Sequence, residues 1–166
     1  MLRAVKIVFA GDGGVGKTSL IKKFFDNTVV DRLTVGTEFR IFKISPNKMA
    51  VLWDLGGEIR FRDVQEALMR GARLVVLVFD VHRPSTLTNL KKWAERIYNI
   101  NGRKRIPAIV VGNKIDLGKN IDHELIKSTL KEIPLDVKYY IETSAYTGEN
   151  VAILFKKIRE LLSKEI

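Results

Sequence analysis

With 166 residues and 46% hydrophobic content, the chain can bury roughly 70% of its unfolded surface in one ordinary domain, and its composition excludes intrinsic disorder. No stretch approaches about 18 consecutive apolar residues, so no membrane-spanning helix is expected; the absence of cysteine excludes disulfides and prenyl or palmitoyl sites. The formal charge of +10 raises nucleic acid and anionic membranes as partners, but Arg103-Lys104-Arg105 is a short loop cluster and Lys156, Lys157 and Arg159 fall in a terminal helical pattern. No aromatic platform interleaves these charges, so a solvated basic surface is expected and nucleic acid is not.

The apolar run Ala4 to Ala10 reads as a first strand. It begins almost at the first residue, so no signal peptide is expected, and with Leu2 in second place no N-myristoylation is expected either. Gly11-Asp12-Gly13-Gly14-Val15-Gly16-Lys17-Thr18 follows, then a helical pattern from Ser19 to Phe25. Asp26 to Gly36 is polar and irregular, a first candidate mobile loop. Residues 37–45 alternate around Phe39, Ile41 and Ile44, Pro46-Asn47 signals a turn, and Met49 to Trp53 returns as a strand. This hairpin is the one antiparallel pair expected. Leu55 to Arg62 is a glycine-containing loop, and a helix follows to about Arg70.

Leu74 to Phe79 is continuously apolar, as a strand covered on both faces would be. Pro84-Ser85 opens a helix to about Tyr98, Ile106 to Val111 is another buried strand, Asp122 to Lys131 a helix and Val137 to Ile141 a last strand. The final helix, from about Asn150 to Ser163, carries Val151, Leu154, Phe155, Ile158, Leu161 and Leu162 as a core-facing stripe. Alternating strands and helices without repeat or linker predict a single α/β domain over residues 1–166.

The glycine loop between strand and helix matches G-x-x-x-x-G-K-[ST] in the context that makes it a phosphate site rather than an empty turn. Successive backbone N–H groups can turn inward, and the helix start adds its unpaired donors and positive dipole end. Asp12, Gly13, Gly14, Val15, Gly16, Lys17, Thr18 and Ser19 are the candidate phosphate-binding residues, with Lys17 reaching the β- and γ-phosphates and the Thr18 hydroxyl on Mg²⁺. The base is read elsewhere. Asn113-Lys114-Ile115-Asp116 ends a buried strand at the edge where open α/β sheets bind ligands. A carboxylate there accepts from both N1–H and the exocyclic amine of guanine, a donor pair adenine lacks. Glu142-Thr143-Ser144-Ala145 follows the last strand, where a backbone N–H can reach the guanine oxygen.

These stretches, with Trp53-Asp54-Leu55-Gly56-Gly57-Glu58, resemble the Ras-like small GTPases in order and spacing over essentially the whole chain. Arg60-Phe61-Arg62 to Arg70-Gly71-Ala72 and on to Val78-Phe79-Asp80-Val81 looks most like the Rab branch, and Trp53 to Gly57 more like the Arf branch. The resemblance implies a three-layer P-loop fold, with a six-stranded, mostly parallel sheet, one antiparallel edge strand and five helices. It implies GTP or GDP with Mg²⁺, and two switch loops ordered by the γ-phosphate and released on hydrolysis. By the family pattern Asn113 and Asp116 hold guanine, Lys114 lies along the ring, and Ala145, beside Ser144, donates its N–H. Asp54 holds magnesium through water, Gly57 N–H contacts the γ-phosphate, and Thr34 is the switch threonine on the metal, with Thr37 as runner-up.

The chain departs from that pattern in ways that bear on rate. Glu58 stands where the family usually has the glutamine that orients the attacking water; an ionised carboxylate only accepts and brings negative charge toward the phosphate. Slow hydrolysis is expected, by Lys17, Gly57, Glu58 and Arg32 as the candidate catalytic group. A milder reading has Glu58 facing solvent until a partner protein arrives. Arg32 either stabilises transition-state charge in cis or serves as a solvent-facing effector contact. Val29 replaces the aromatic residue often found over the guanine edge, and Phe25 is a poor substitute because it belongs to the first helix. The alternative function is a nucleotide-binding module with negligible turnover. Effector, activating and exchange proteins are expected to use residues 29–39 and 55–70. Without a lipid anchor of its own, the protein is expected in the cytoplasm, with recruitment to a membrane only through a partner.

Overall fold

In the computed structural model, residues 1–27, 39–55 and 62–164 are described. The strands β1 (Arg3–Ala10), β2 (Phe39–Ser45), β3 (Lys48–Asp54), β4 (Ala72–Asp80), β5 (Pro107–Asn113) and β6 (Asp136–Glu142) form one six-stranded sheet in the order β2-β3-β1-β4-β5-β6. Every pairing is parallel except β2 with β3, the predicted hairpin at the sheet edge. The helices are α1 (Lys17–Asn27), α2 (Arg62–Met69), α3 (Pro84–Thr88), α4 (Leu90–Ile100), α5 (His123–Glu132) and α6 (Val151–Ser163).

The continuous apolar run of β4 divides its side chains between two cores. Leu74, Val76 and Val78 join a cluster with α1 and α6, while Val75, Leu77 and Phe79 join one with α4 and α5. Alternation of Cβ direction along a strand forces this split, so a helix layer must cover each face. On the first face Phe24 of α1 stacks on Phe155 of α6 with ring centroids 3.8 Å apart and planes 2° from parallel. Phe25 and Phe42 meet Phe155 edge-on. The predicted stripe of α6 is buried at Val151, Leu154, Phe155, Ile158 and Leu162, and Leu161 packs at its margin.

Two expectations are corrected. The first helix continues through Asp26 to Asn27, so the irregular stretch does not begin at Asp26. The helix expected from Pro84 to Tyr98 is divided at Asn89 and continues to Ile100. Asn89 keeps helical dihedrals, φ −71° and ψ −15°, while its side-chain amide donates to Asp12 at 2.7 Å. The interruption sits where the Asn89 side chain reaches the glycine loop. Counting α3 and α4 as that one divided helix, the described residues carry the five helices expected.

Parallel pairing brings the C-terminal ends of β1, β3, β4, β5 and β6 to one sheet edge. The register sets Phe9 beside Asp54, Asp80 beside Asn113 and Gly112 beside Glu142. Everything that the sequence marks for chemistry among the described residues leaves the sheet along that edge.

Candidate functional site

The glycine loop joins β1 to the first residue of α1. Gly14 and Gly16 have φ of +77° and +98°, values open to glycine and strained for other residues. At Gly16 a Cβ would also drive into the Asn113 amide, whereas at Gly13 it would meet no atom within 4 Å. Lys17 is only 3% exposed. Its ammonium donates to the carbonyls of Gly11 at 2.7 Å and Asp12 at 2.8 Å, folding back over the loop. Burial pushes its pKa down, against the opposing pull of Asp54 and Asp12. This cation is bound by neutral carbonyls and carries an unbalanced desolvation cost that a phosphate would relieve.

Thr18, one residue on, donates its hydroxyl to the Asp54 carboxylate at the end of β3. The two described candidates for magnesium therefore stand together. One hydroxyl and one carboxylate, without a further acidic or histidine cluster among the described residues, is the donor set Mg²⁺ takes when phosphate oxygens and water complete its shell. The residues fit that ion.

The opposite half is a pocket of about 500 Å³ lined by Gly16, Ser19, Asn113, Lys114, Asp116, Leu117, Ala145 and Tyr146. Asn113 is buried, and its side chain joins three segments. Its amide nitrogen donates to Val15 O at 2.9 Å, while its amide oxygen accepts from the Thr143 hydroxyl at 3.0 Å and the Ala145 N–H at 3.2 Å. A base oxygen recruiting the Ala145 N–H must share it with Asn113. The Asp116 carboxylate accepts from the Ser144 hydroxyl at 2.7 Å, and Ser144 Oγ in turn accepts from Thr147 N–H at 3.0 Å. Ser144 thus orients the carboxylate from below while being itself buried. Lys114 adopts the left-handed region, φ 71°, which turns the chain from β5 into the short 3₁₀ turn Ile115–Leu117 carrying Asp116.

A glycine loop backed by a buried lysine is thus joined through the Asn113 side chain to a pocket that holds an oriented aspartate. A family profile described as Ras family matches residues 6–164. The chain belongs to the Ras family. It is also 34% identical to Ras-related protein Rab-18-B of Danio rerio, in an alignment covering 96% of this chain and 80% of that relative. Ras-like small GTPases are GTP-binding switches that hydrolyse GTP, bind GTP and GDP with Mg²⁺, and work through regulators and effectors.

In this small GTPase the described residues gather Asp12 to Ser19, Asp54, Asn113, Lys114, Asp116, Ser144 and Ala145 along one sheet edge. Val29, Arg32, Thr34, Thr37, Gly57 and Glu58 lie outside the described residues. Asp12 turns its carboxylate away from the pocket, accepting from Asn89 Nδ2 at 2.7 Å and Trp93 Nε1 at 3.0 Å. Its contribution within the loop is through the backbone.

Sequence reasoning missed several neighbours of the site. Asp80, at the end of β4, is 3% exposed. Its carboxylate accepts from His82 N–H at 2.8 Å and Arg83 Nε at 3.0 Å, with Lys114 Nζ 3.5 Å away. Burial alone would raise this carboxyl's pKa, but the His82 N–H, Arg83 and Lys114 outweigh it and hold the group below its ordinary value. Tyr146, 83% exposed at the lip of the base pocket, was also missed. Thr143 was in view as part of the last motif and Asp80 as part of the Rab-like stretch, though neither was given a site role; Tyr146 carries no local pattern that marks it.

Proposed function

We propose that this protein is a magnesium-dependent GTP switch whose intrinsic hydrolysis is slow, built as one G domain over residues 1–166. The observation that carries the reading is the Asn113 side chain, which ties Val15 of the phosphate loop to Thr143 and Ala145 of the base pocket. Phosphate and guanine are thereby addressed as one ligand. Lys17 exchanges its carbonyl partners for β- and γ-phosphate oxygens, and the inward N–H groups from Gly13 to Thr18 hold the same charge. Thr18 and Asp54, with Thr34 as the switch threonine, hold Mg²⁺, which neutralises phosphate charge when bound. Asp116 accepts the two N–H donors of the guanine edge, Lys114 lies along the ring, and Ala145 donates to the guanine oxygen.

Gly57 N–H and Glu58 address the γ-phosphate and the attacking water. With Glu58 ionised, the water has an acceptor but the transition state gains no donor, and repulsion from the phosphate opposes closure. Arg32 is assigned the compensating charge. We place the protein in the cytoplasm, with regulators and effectors at residues 29–39 and 55–70 and membrane recruitment through such a partner; no helix among the described residues is long and apolar enough to cross a membrane.

Binding of GTP, GDP and ATP, followed by single-turnover hydrolysis of bound GTP, tests this. Tight GTP and GDP binding with slow magnesium-dependent phosphate release is expected. ATP preference overturns the guanine reading, and bound GTP that is never cleaved reduces the protein to a binding module.

A further inference from the structure

The loop's inner face is committed to the nucleotide, but its outer face is gripped by side chains from the β4–α4 segment. Arg83 donates through Nη2 to the Gly13 carbonyl at 3.1 Å and through Nε to Asp80 Oδ2 at 3.0 Å. In a trans peptide the C=O of one residue and the N–H of the next point in opposite directions. Holding the Gly13 carbonyl outward therefore aims the Gly14 N–H inward, toward the phosphates. The guanidinium charge also polarises that peptide, making its N–H a stronger donor. At Gly14, with φ +77° and no side chain to fix the peptide, a neighbour must supply the constraint.

The same Asp80 oxygen that accepts from Arg83 lies 3.5 Å from Lys114 Nζ. One buried carboxylate thus serves a cation on the phosphate loop and a cation on the base loop. The Asp80 main chain is fixed too: its N–H donates to Thr86 Oγ1 at 2.9 Å, and Thr86 Oγ1 donates to Arg83 O at 2.7 Å. The carboxylate is a rigid post.

We infer that Arg83 is a positioning residue for the phosphate loop, and that Asp80, by holding Arg83 and Lys114 together, couples the phosphate half of the site to the base half. The inference rests on the guanine-nucleotide reading above. Arg83 acts through the loop peptide, so its removal weakens ligands in proportion to the phosphates the loop holds. Asp80 acts through both loops, so its removal also weakens a ligand that keeps the base and loses the β-phosphate.

The test compares the intact chain with Arg83→Ala, Asp80→Asn and the double variant, measuring release of a fluorescent GDP analogue and competition by GDP and GMP. Loss of one charge-assisted hydrogen bond at a half-exposed site predicts release about tenfold faster in Arg83→Ala. GDP affinity should fall more than GMP affinity. Asp80→Asn should release faster still and lose affinity for both ligands, and the double variant should fall short of the product of the singles, because both substitutions remove one contact. Release from Arg83→Ala within twofold of wild type, equal losses for GDP and GMP in Arg83→Ala, or fully additive singles each overturns the inference. General loosening of the fold would weaken GDP and GMP alike, so their ratio separates positioning from stability. Should Asp80→Asn fail to fold, Arg83→Ala decides alone. A wild-type protein that binds no guanine nucleotide refutes the GTP reading instead, before any variant is compared.

Discussion

The two halves of the site, proposed to take the base and the phosphates, are built on opposite electrical principles. Around the base, Asn113, Thr143, Ser144 and Ala145 form a closed set of largely neutral hydrogen bonds, with Asp116 as its one charged member. Around the phosphates, a buried ammonium leans on two carbonyls, and the Asp54 carboxylate shares the hydroxyl of Thr18. The first arrangement is complete in itself and can receive a base with little rearrangement. The second holds its charges on stand-in partners that must be exchanged when phosphate and metal arrive. Preorganisation favours selectivity in the first half, and stored desolvation favours affinity for anions in the second.

The contrast breaks most visibly at Lys17. Lys17→Ala should cost on the order of a thousandfold in GDP affinity, the scale for losing a buried charge partner, while leaving the melting temperature of nucleotide-free protein nearly unchanged. Calorimetric titration and melting curves check both, and a large loss of nucleotide-free stability would place Lys17 with the self-sufficient half instead. Next comes Asp116→Asn, which trades an acceptor for a donor at the guanine edge. Affinity for GDP should fall about a hundredfold and XDP, whose C2 carbonyl accepts that donor, should be preferred in direct competition.

Asn113→Ala should destabilise the fold by about 2 kcal/mol, because Val15 O, the Thr143 hydroxyl and the Ala145 N–H lose their shared partner, and urea unfolding measures it. Glu58→Gln should speed single-turnover hydrolysis several-fold, since an amide can accept from water and donate toward the phosphate at once. A rate unchanged or slower would remove Glu58 as the cause of slow turnover.

The smallest effect concerns pH. Glu142 accepts from Tyr140 OH at 2.7 Å and pairs with Lys119 at 2.5 Å. Burial would raise the Glu142 carboxyl, but Lys119 and Tyr140 outweigh it and hold its pKa below the ordinary value. A depressed folded pKa contributes stability that is present above the unfolded pKa, about 4.3, and is lost as pH falls through the folded one. Wild type should therefore melt above Glu142→Gln at neutral pH, and the gap should close on acidification below about pH 4. A gap independent of pH would assign the difference to packing.

Much of this site was legible because backbone chemistry dictates residue type. Glycine adopts the positive φ of Gly14 and Gly16 without the strain a side chain would bring, and Asn113-Lys114-Ile115-Asp116 is a contiguous string at a strand end. The sheet was legible for a similar reason: the run through β4 has no polar face, so helices must cover both sides. Arg83, Asn89 and Trp93 were not, because they meet the loop from some 70 to 80 positions away, where the crossover between β4 and β5 happens to pass. No local periodicity encodes such a meeting. The division of the helix at Asn89 likewise had no local signal, and the partner of the Asn89 side chain, Asp12, lies far away in the chain.

The stacking of Phe24 on Phe155 carries a consequence for synthesis on the ribosome. α1 leaves the exit tunnel well before α6, yet its aromatic face packs on Phe42 of β2 and is closed by Phe155 of α6. Lys48 adds to this dependence by donating to Leu162 O at 2.6 Å, which ties the hairpin to α6. A nascent chain halted before Phe155 would expose Phe24, Phe25 and Phe42 together, a sticky surface suited to chaperone capture.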